Sequence, residues 1–117
     1  MIATQGPILV VDDEPEVRAL VREYLALSGR EVVEAGNGIE ALWVVKHQRP
    51  PLVLLDLSMP RLGGIETIRH IRKFDPSIHI VVVTGDLSED DAARLRQLGV
   101  TALAKPMPMS ALDELFV

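Results

Sequence analysis

At 117 residues, with hydrophobic side chains making up 48% of the chain, the protein is long enough for one core of ordinary size, and one domain is expected over residues 1–117 with its core from about residue 7. Seventeen acidic against twelve basic side chains give a net charge of −5, which argues against a nucleic-acid face, because phosphate contacts need clustered Lys and Arg. Cysteine is absent, so no disulfide, thiol nucleophile or thiolate metal site is available, and neither a membrane span nor a signal peptide is found, so a cytoplasmic protein without membrane contact is expected.

In chain order, Ile8 to Val11 forms a short apolar run that ends in Asp12 and Asp13. A helix is predicted from Pro15 to Ser28, since Pro suits a first helical position and Gly29 suits the exit. A second strand at Glu31 to Ala35 carries Glu31 and Glu34 and reads as a sheet edge, where charge is tolerated. The second helix, Gly38 to Gln48, is expected to bury Ile39, Ala41, Leu42 and Val45, leaving Trp43 as a partly exposed packing residue. Leu52 to Leu55 runs into Asp56, and a third helix follows over Gly64 to Phe74. Near its end, Arg69, His70, Arg72 and Lys73 form the only basic cluster, read as a solvated helix end.

Further on, a fourth strand at Ile78 to Val83 runs into Thr84, and Ser88 with Asp91 three residues later reads as a capping box for a helix over Glu89 to Leu98. Gly99 suits its exit, Thr101 to Ala104 forms a fifth strand running into Lys105, and a last helix is predicted over Met109 to Phe116. His47, His70 and His79 have no metal-ligand spacing and read as surface or edge residues. Met1 and the brief leader up to Gly6 are expected to mark a native start.

Apolar strands alternating with helix-period segments point to an α/β, three-layer αβα sandwich with a flavodoxin-like parallel sheet. The first, third and fourth strands are nearly all apolar and belong in the interior, and right-handed crossovers then favour the order 2-1-3-4-5. The strand ends share one edge, and ligands bind there at the switch point between strands 1 and 3. Asp12, Asp13, Asp56, Thr84 and Lys105 thus meet in one place. Two carboxylates about 4 Å apart repel by roughly 4 kcal/mol at an effective dielectric near 20. A hard divalent cation with oxygen ligands offsets that repulsion, and Mg²⁺ commonly takes one or two carboxylates together with phosphate and water.

The motifs Ile-Leu-Val-Val-Asp12-Asp13-Glu14-Pro15, Leu-Leu-Asp56-Leu57-Ser58-Met59-Pro60 with Gly64 beyond, Val-Val-Thr84-Gly85 and Ala-Lys105-Pro106 occur in this order. Together they resemble the receiver domain of bacterial two-component response regulators, and the resemblance covers almost the whole chain from about Pro7. It implies that Asp56 accepts a phosphoryl group from a phosphohistidine on a sensor histidine kinase or a histidine phosphotransfer protein. Mg²⁺ would be held by Asp12, Asp13, Asp56 and the carbonyl of Ser58, with Lys105 and Thr84 on the phosphoryl oxygens. The resemblance also implies a cis peptide before Pro106, and a donor docking face at Val17, Leu20 and Met107 to Met109.

Such a protein signals by a phosphorylation-dependent conformational change or by phosphorelay and is not an enzyme; a homodimer is among the partners considered. Two departures stand out. Ala102 takes the place of the aromatic residue usual three positions before the lysine, which puts the usual signal path in doubt, and Gly63 replaces an Asp often found before Gly64. Ser58 and Asp86 hold positions that tune phosphate lifetime. Alternatives are a non-phosphorylated receiver-like interaction domain, or a receiver fragment of a hybrid kinase or multidomain regulator. An aspartyl phosphatase would need an acid where Ser58 stands, and a flavin phosphate would be repelled by Asp12, Asp13 and Glu14.

Overall fold

A computed structural model describes residues 6–57, 63–85 and 87–115. Five strands alternate with helices along the chain: β1 (Ile8–Val11), α1 (Pro15–Ala26), β2 (Val32–Ala35), α2 (Gly38–Gln48), β3 (Leu52–Asp56), α3 (Gly64–Phe74), β4 (His79–Thr84), α4 (Glu89–Gln97) and β5 (Thr101–Ala104), followed by a 3-10 helix (Met109–Leu115). All strand pairs are parallel and the order is β2-β1-β3-β4-β5, as the distribution of apolar and charged strands predicts.

Alternation of side chains along each strand builds the three layers. Leu9, Val11, Val53, Leu55, Ile80 and Val82 face a core closed by Ala41, Val44 and Val45 of α2, Ile68 and Ile71 of α3, and Leu95 of α4. Ile8, Val10, Leu52, Leu54 and Val81 face the opposite way, onto Val21 and Leu25 of α1 and Leu112 of the 3-10 helix. Burying one such side chain contributes roughly 1.5–3 kcal/mol.

Local chemistry sets the helix ends. α1 and α4 stop in the same way: Gly29 (φ +73°) and Gly99 (φ +68°) take the left-handed conformation. Arg30 N–H then donates to Leu25 O and Val100 N–H to Leu95 O, both at 3.1 Å, closing the helix with the paired bonds of a Schellman motif. At α4, Asp91 N–H donates to Ser88 Oγ at 3.1 Å, the cap expected from the sequence. A second cap has the same sequence signature and went unread: Glu40 N–H donates to Asn37 Oδ1 (3.0 Å), while Gly36 N–H donates to Glu40 Oε2 (3.0 Å).

Three local expectations are corrected. Ile39 is 57% exposed and Val44 is buried in its place, because the face of α2 that meets the sheet is set by Ala41, Val44 and Val45 at helical spacing. Trp43 is itself exposed and stacks on His47, ring centroids 4.1 Å apart. Arg72 is not a solvated charge: its guanidinium is part-buried and donates to Leu98 O (2.8 Å), Gly99 O (3.2 Å) and Ile78 O, tying α3 to the α4 exit and the start of β4. The final segment is a 3-10 helix rather than an α-helix, and Phe116 lies outside the described residues. With three residues per turn, Met109, Leu112 and Leu115 fall on one face, and all three pack on the core beside α1. Tyr24 OH of α1 donates to Asp113 Oδ2 at 2.7 Å and fastens this segment down.

Candidate functional site

Register places the acids. Val11 of β1 is level with Leu55 of β3, so the next residues, Asp12 and Asp56, come level at the sheet edge. By alternation both continue the row of Val10 and Leu54, on the α1 side of the sheet, and Lys105 continues the row of Leu103, which packs on the same side. Lys105 Nζ lies 3.2 Å from Asp56 Oδ2, while its backbone N–H donates to Thr84 O at 2.9 Å. Thr84 ends β4 and is buried.

Asp12, Asp13 and Asp56 each offer an oxygen atom within 4.8 Å of the others. Asp12 and Asp56 are buried and Asp13 is exposed. An all-oxygen set of three carboxylates suits a hard divalent cation and no soft one. The structure therefore brings together Asp12, Asp13, Asp56 and Lys105, and puts Thr84 at the end of the adjoining strand. Ser58 and Asp86 lie outside the described residues. The Lys105–Pro106 peptide is cis, as expected. Beside the acids a recess of about 470 Å³ opens between α1 and the segment after Lys105, with Val17, Val21, Leu54, Met107 and Met109 among its walls. Leu20 lies exposed on α1.

The sequence reading missed Arg18. Its Nη1 donates to Asp12 O at 2.6 Å and its Nε to Glu34 Oε1 at 3.0 Å. The available signal was an arginine one turn into α1 facing an acidic residue on the neighbouring edge strand.

The family described as response regulator receiver domain matches residues 8–116. The chain belongs to this family. It is 34% identical to Sporulation initiation phosphotransferase F of Bacillus subtilis (strain 168) over 108 residues, covering 92% of this chain and 87% of that one. To Response regulator MprA of Mycobacterium sp. (strain KMS) it is 40% identical over 111 residues, or 92% of this chain, yet it spans only 46% of that relative. A crystal structure of a response regulator receiver protein from Pseudomonas putida superposes with a TM-score of 0.88 at 34% identity, covering 97% of each chain. The protein is thus a two-component receiver domain with an acidic pocket at Asp12, Asp13 and Asp56. Receiver domains as a family pair with histidine kinases and phosphotransferases, and the triad is of the type that binds Mg²⁺. Among the described residues no helix is long and apolar enough to cross a membrane.

Burial pushes the Asp12 carboxyl above its ordinary value of 3.8; the Glu14 N–H opposes this, the charge of Asp56 adds to it, Lys105 opposes and Asp13 adds. Well below pH 3.8 Asp12 is neutral in both the folded and the unfolded chain, so its burial carries no ionisation cost. Above that value the unfolded chain ionises freely while the folded chain resists, and stability falls until the pH passes the raised value. In buffer free of divalent metal, Asp12→Asn is therefore expected to raise the melting temperature at pH 7, by about 4 °C or more for each 1 kcal/mol relieved. The gain should shrink towards zero as the pH approaches 3.8. Paired thermal melts across this range check it, and an equal or lower melting temperature for Asp12→Asn at pH 7 would contradict it.

Proposed function

We propose that the chain is a phosphoacceptor, with Asp56 as the residue that receives the phosphoryl group. The observation that carries this reading is the convergence of three carboxylates with an ammonium on one of them, at the switch point of a receiver fold. A carboxylate oxygen of Asp56 attacks the phosphorus of a phosphohistidine on a partner kinase or phosphotransfer protein. The new O–P bond forms as the P–N bond breaks, and the electron pair leaves with the imidazole nitrogen. Asp56 then carries an aspartyl phosphate.

The chain's own groups supply position and charge. Lys105, already 3.2 Å from Asp56, turns its ammonium to a phosphoryl oxygen, and the Thr84 hydroxyl donates to another. Asp12, Asp13 and Asp56 are the residues that would hold Mg²⁺, which supplies neutralisation of charge on the transferring group. The carbonyl of Ser58 is the further ligand expected from the family. The donor docks over the recess walled by Val17, Met107 and Met109, next to the exposed Leu20, so that its histidine reaches the acids.

Ala102 is exposed on β5 and offers no ring to follow Thr84 inward, so the signal leaves through α1 or through relay of the phosphate. The full chain incubated with a small acyl phosphodonor and Mg²⁺ is expected to gain one phosphate, labile to hydroxylamine and located on Asp56 by mass spectrometry. Chelating the metal should prevent the gain. A chain that stays unlabelled under these conditions would instead be a receiver-like interaction domain.

A further inference from the structure

We propose that Arg18 is a positioning residue for the acidic site, acting through the backbone of Asp12 with Glu34 as its anchor. This rests on the reading of Asp12, Asp13 and Asp56 as the metal-holding carboxylates. Asp12 is held at three points. Its N–H donates to Ala35 O of β2 (3.1 Å), its Oδ1 accepts from Glu14 N–H (2.9 Å), and its carbonyl oxygen accepts from Arg18 Nη1 (2.6 Å). The first two bonds fix the strand end and the side-chain turn. The third fixes the peptide plane between Asp12 and Asp13.

That plane matters because Asp13 is exposed, so its carboxylate is placed by its backbone rather than by packing. If the Asp12–Asp13 peptide tilts, Asp13 moves away from Asp12 and Asp56, and the oxygens no longer gather within 4.8 Å. Arg18 is able to act as a stop because it is itself pinned: its side chain is 17% exposed and its Nε donates to Glu34 Oε1 at 3.0 Å. A planar guanidinium bridges a carbonyl and a carboxylate at once, whereas an ammonium is a single point.

The test uses the full chain and reads Mg²⁺ binding from backbone amide shifts of residues 11–14 and Asp56, with the rate of labelling by a small acyl phosphodonor as a second readout. Arg18→Ala is expected to weaken Mg²⁺ binding about 10–100-fold, as the loss of a partner behind a metal ligand does. Labelling should recover to the wild-type rate at saturating Mg²⁺. Arg18→Lys keeps the charge and should still bind Mg²⁺ more weakly than wild type. Arg22→Ala is the control, since it breaks an ion pair with the same Glu34 on the same two elements without touching Asp12, and its Mg²⁺ affinity should be unchanged. Equal weakening in Arg18→Ala and Arg22→Ala, or wild-type affinity in Arg18→Ala, would overturn the assignment of Arg18 alone. A wild-type chain whose amides show no saturable response to Mg²⁺ would overturn the metal-site reading along with it.

Discussion

Asp56→Asn is expected to abolish phosphate incorporation, a loss of roughly 10³-fold or more, the scale on which removing a nucleophile acts. The substitution keeps the shape of the side chain and its place at the end of β3, and it removes one of three crowded negative charges, so the fold should survive. Labelling followed by intact-protein mass separates this from a folding defect, because the variant should melt no lower than wild type in metal-free buffer. Asp13→Ala behaves differently. It leaves the nucleophile in place and removes the exposed ligand, so labelling should fall at low Mg²⁺ and partly return as Mg²⁺ is raised. Phosphate that persists on Asp56→Asn at the wild-type level would remove Asp56 from its role.

The legibility of this chain follows from how its strands are buried. β1 and β3 are covered on both faces, so they had to be continuous apolar runs, and their ends had to be where the first polar residues appear. The order of the sheet and the meeting of Asp12, Asp13 and Asp56 could be read from those ends together with the handedness of crossovers. The side chains that act across elements were another matter. Arg18 and Arg72 look like ordinary surface charges in sequence, because their importance lies in carbonyl oxygens of distant residues, and every residue carries a carbonyl. The helical period placed α2 correctly but not its rotation: Ile39 and Val44 are both apolar, and only packing against the sheet decides which is covered. The last segment was expected only as a helix over Met109 to Phe116, and seven residues are too few for the spacing of Met109, Leu112 and Leu115 to tell a 3-10 period from an α-helical one.

Gly64→Ala is expected to lower the melting temperature by about 10 °C and to slow labelling of Asp56, whereas Gly63→Ala should leave both unchanged or raise the stability slightly. The two glycines are adjacent and differ in what surrounds them. A Cβ on Gly64 would lie 2.7 Å from the carbonyl oxygen of Leu57, 3.0 Å from its Cα and 2.9 Å from Cδ1. Two of these atoms are backbone and cannot swing aside, so either α3 or the chain after Asp56 must shift. Overpacking of this kind costs typically about 1–3 kcal/mol, and contact with backbone puts it at the upper end. Gly63 has φ −62°, which any residue adopts, and nothing lies within 4 Å of its added Cβ. An alanine there only narrows the unfolded ensemble, worth about 0.4–1 kcal/mol of stability. The functional half of the prediction follows from connectivity, because Leu57 is bonded directly to Asp56 and its N–H donates to Val83 O at a long 3.4 Å. A shift of Leu57 is therefore resisted weakly and reaches the nucleophile. Thermal melts and initial labelling rates of the two variants decide the matter: equal melting temperatures would show that α3 moves off β3 without cost, and a normal rate in Gly64→Ala would show that the shift stops short of Asp56.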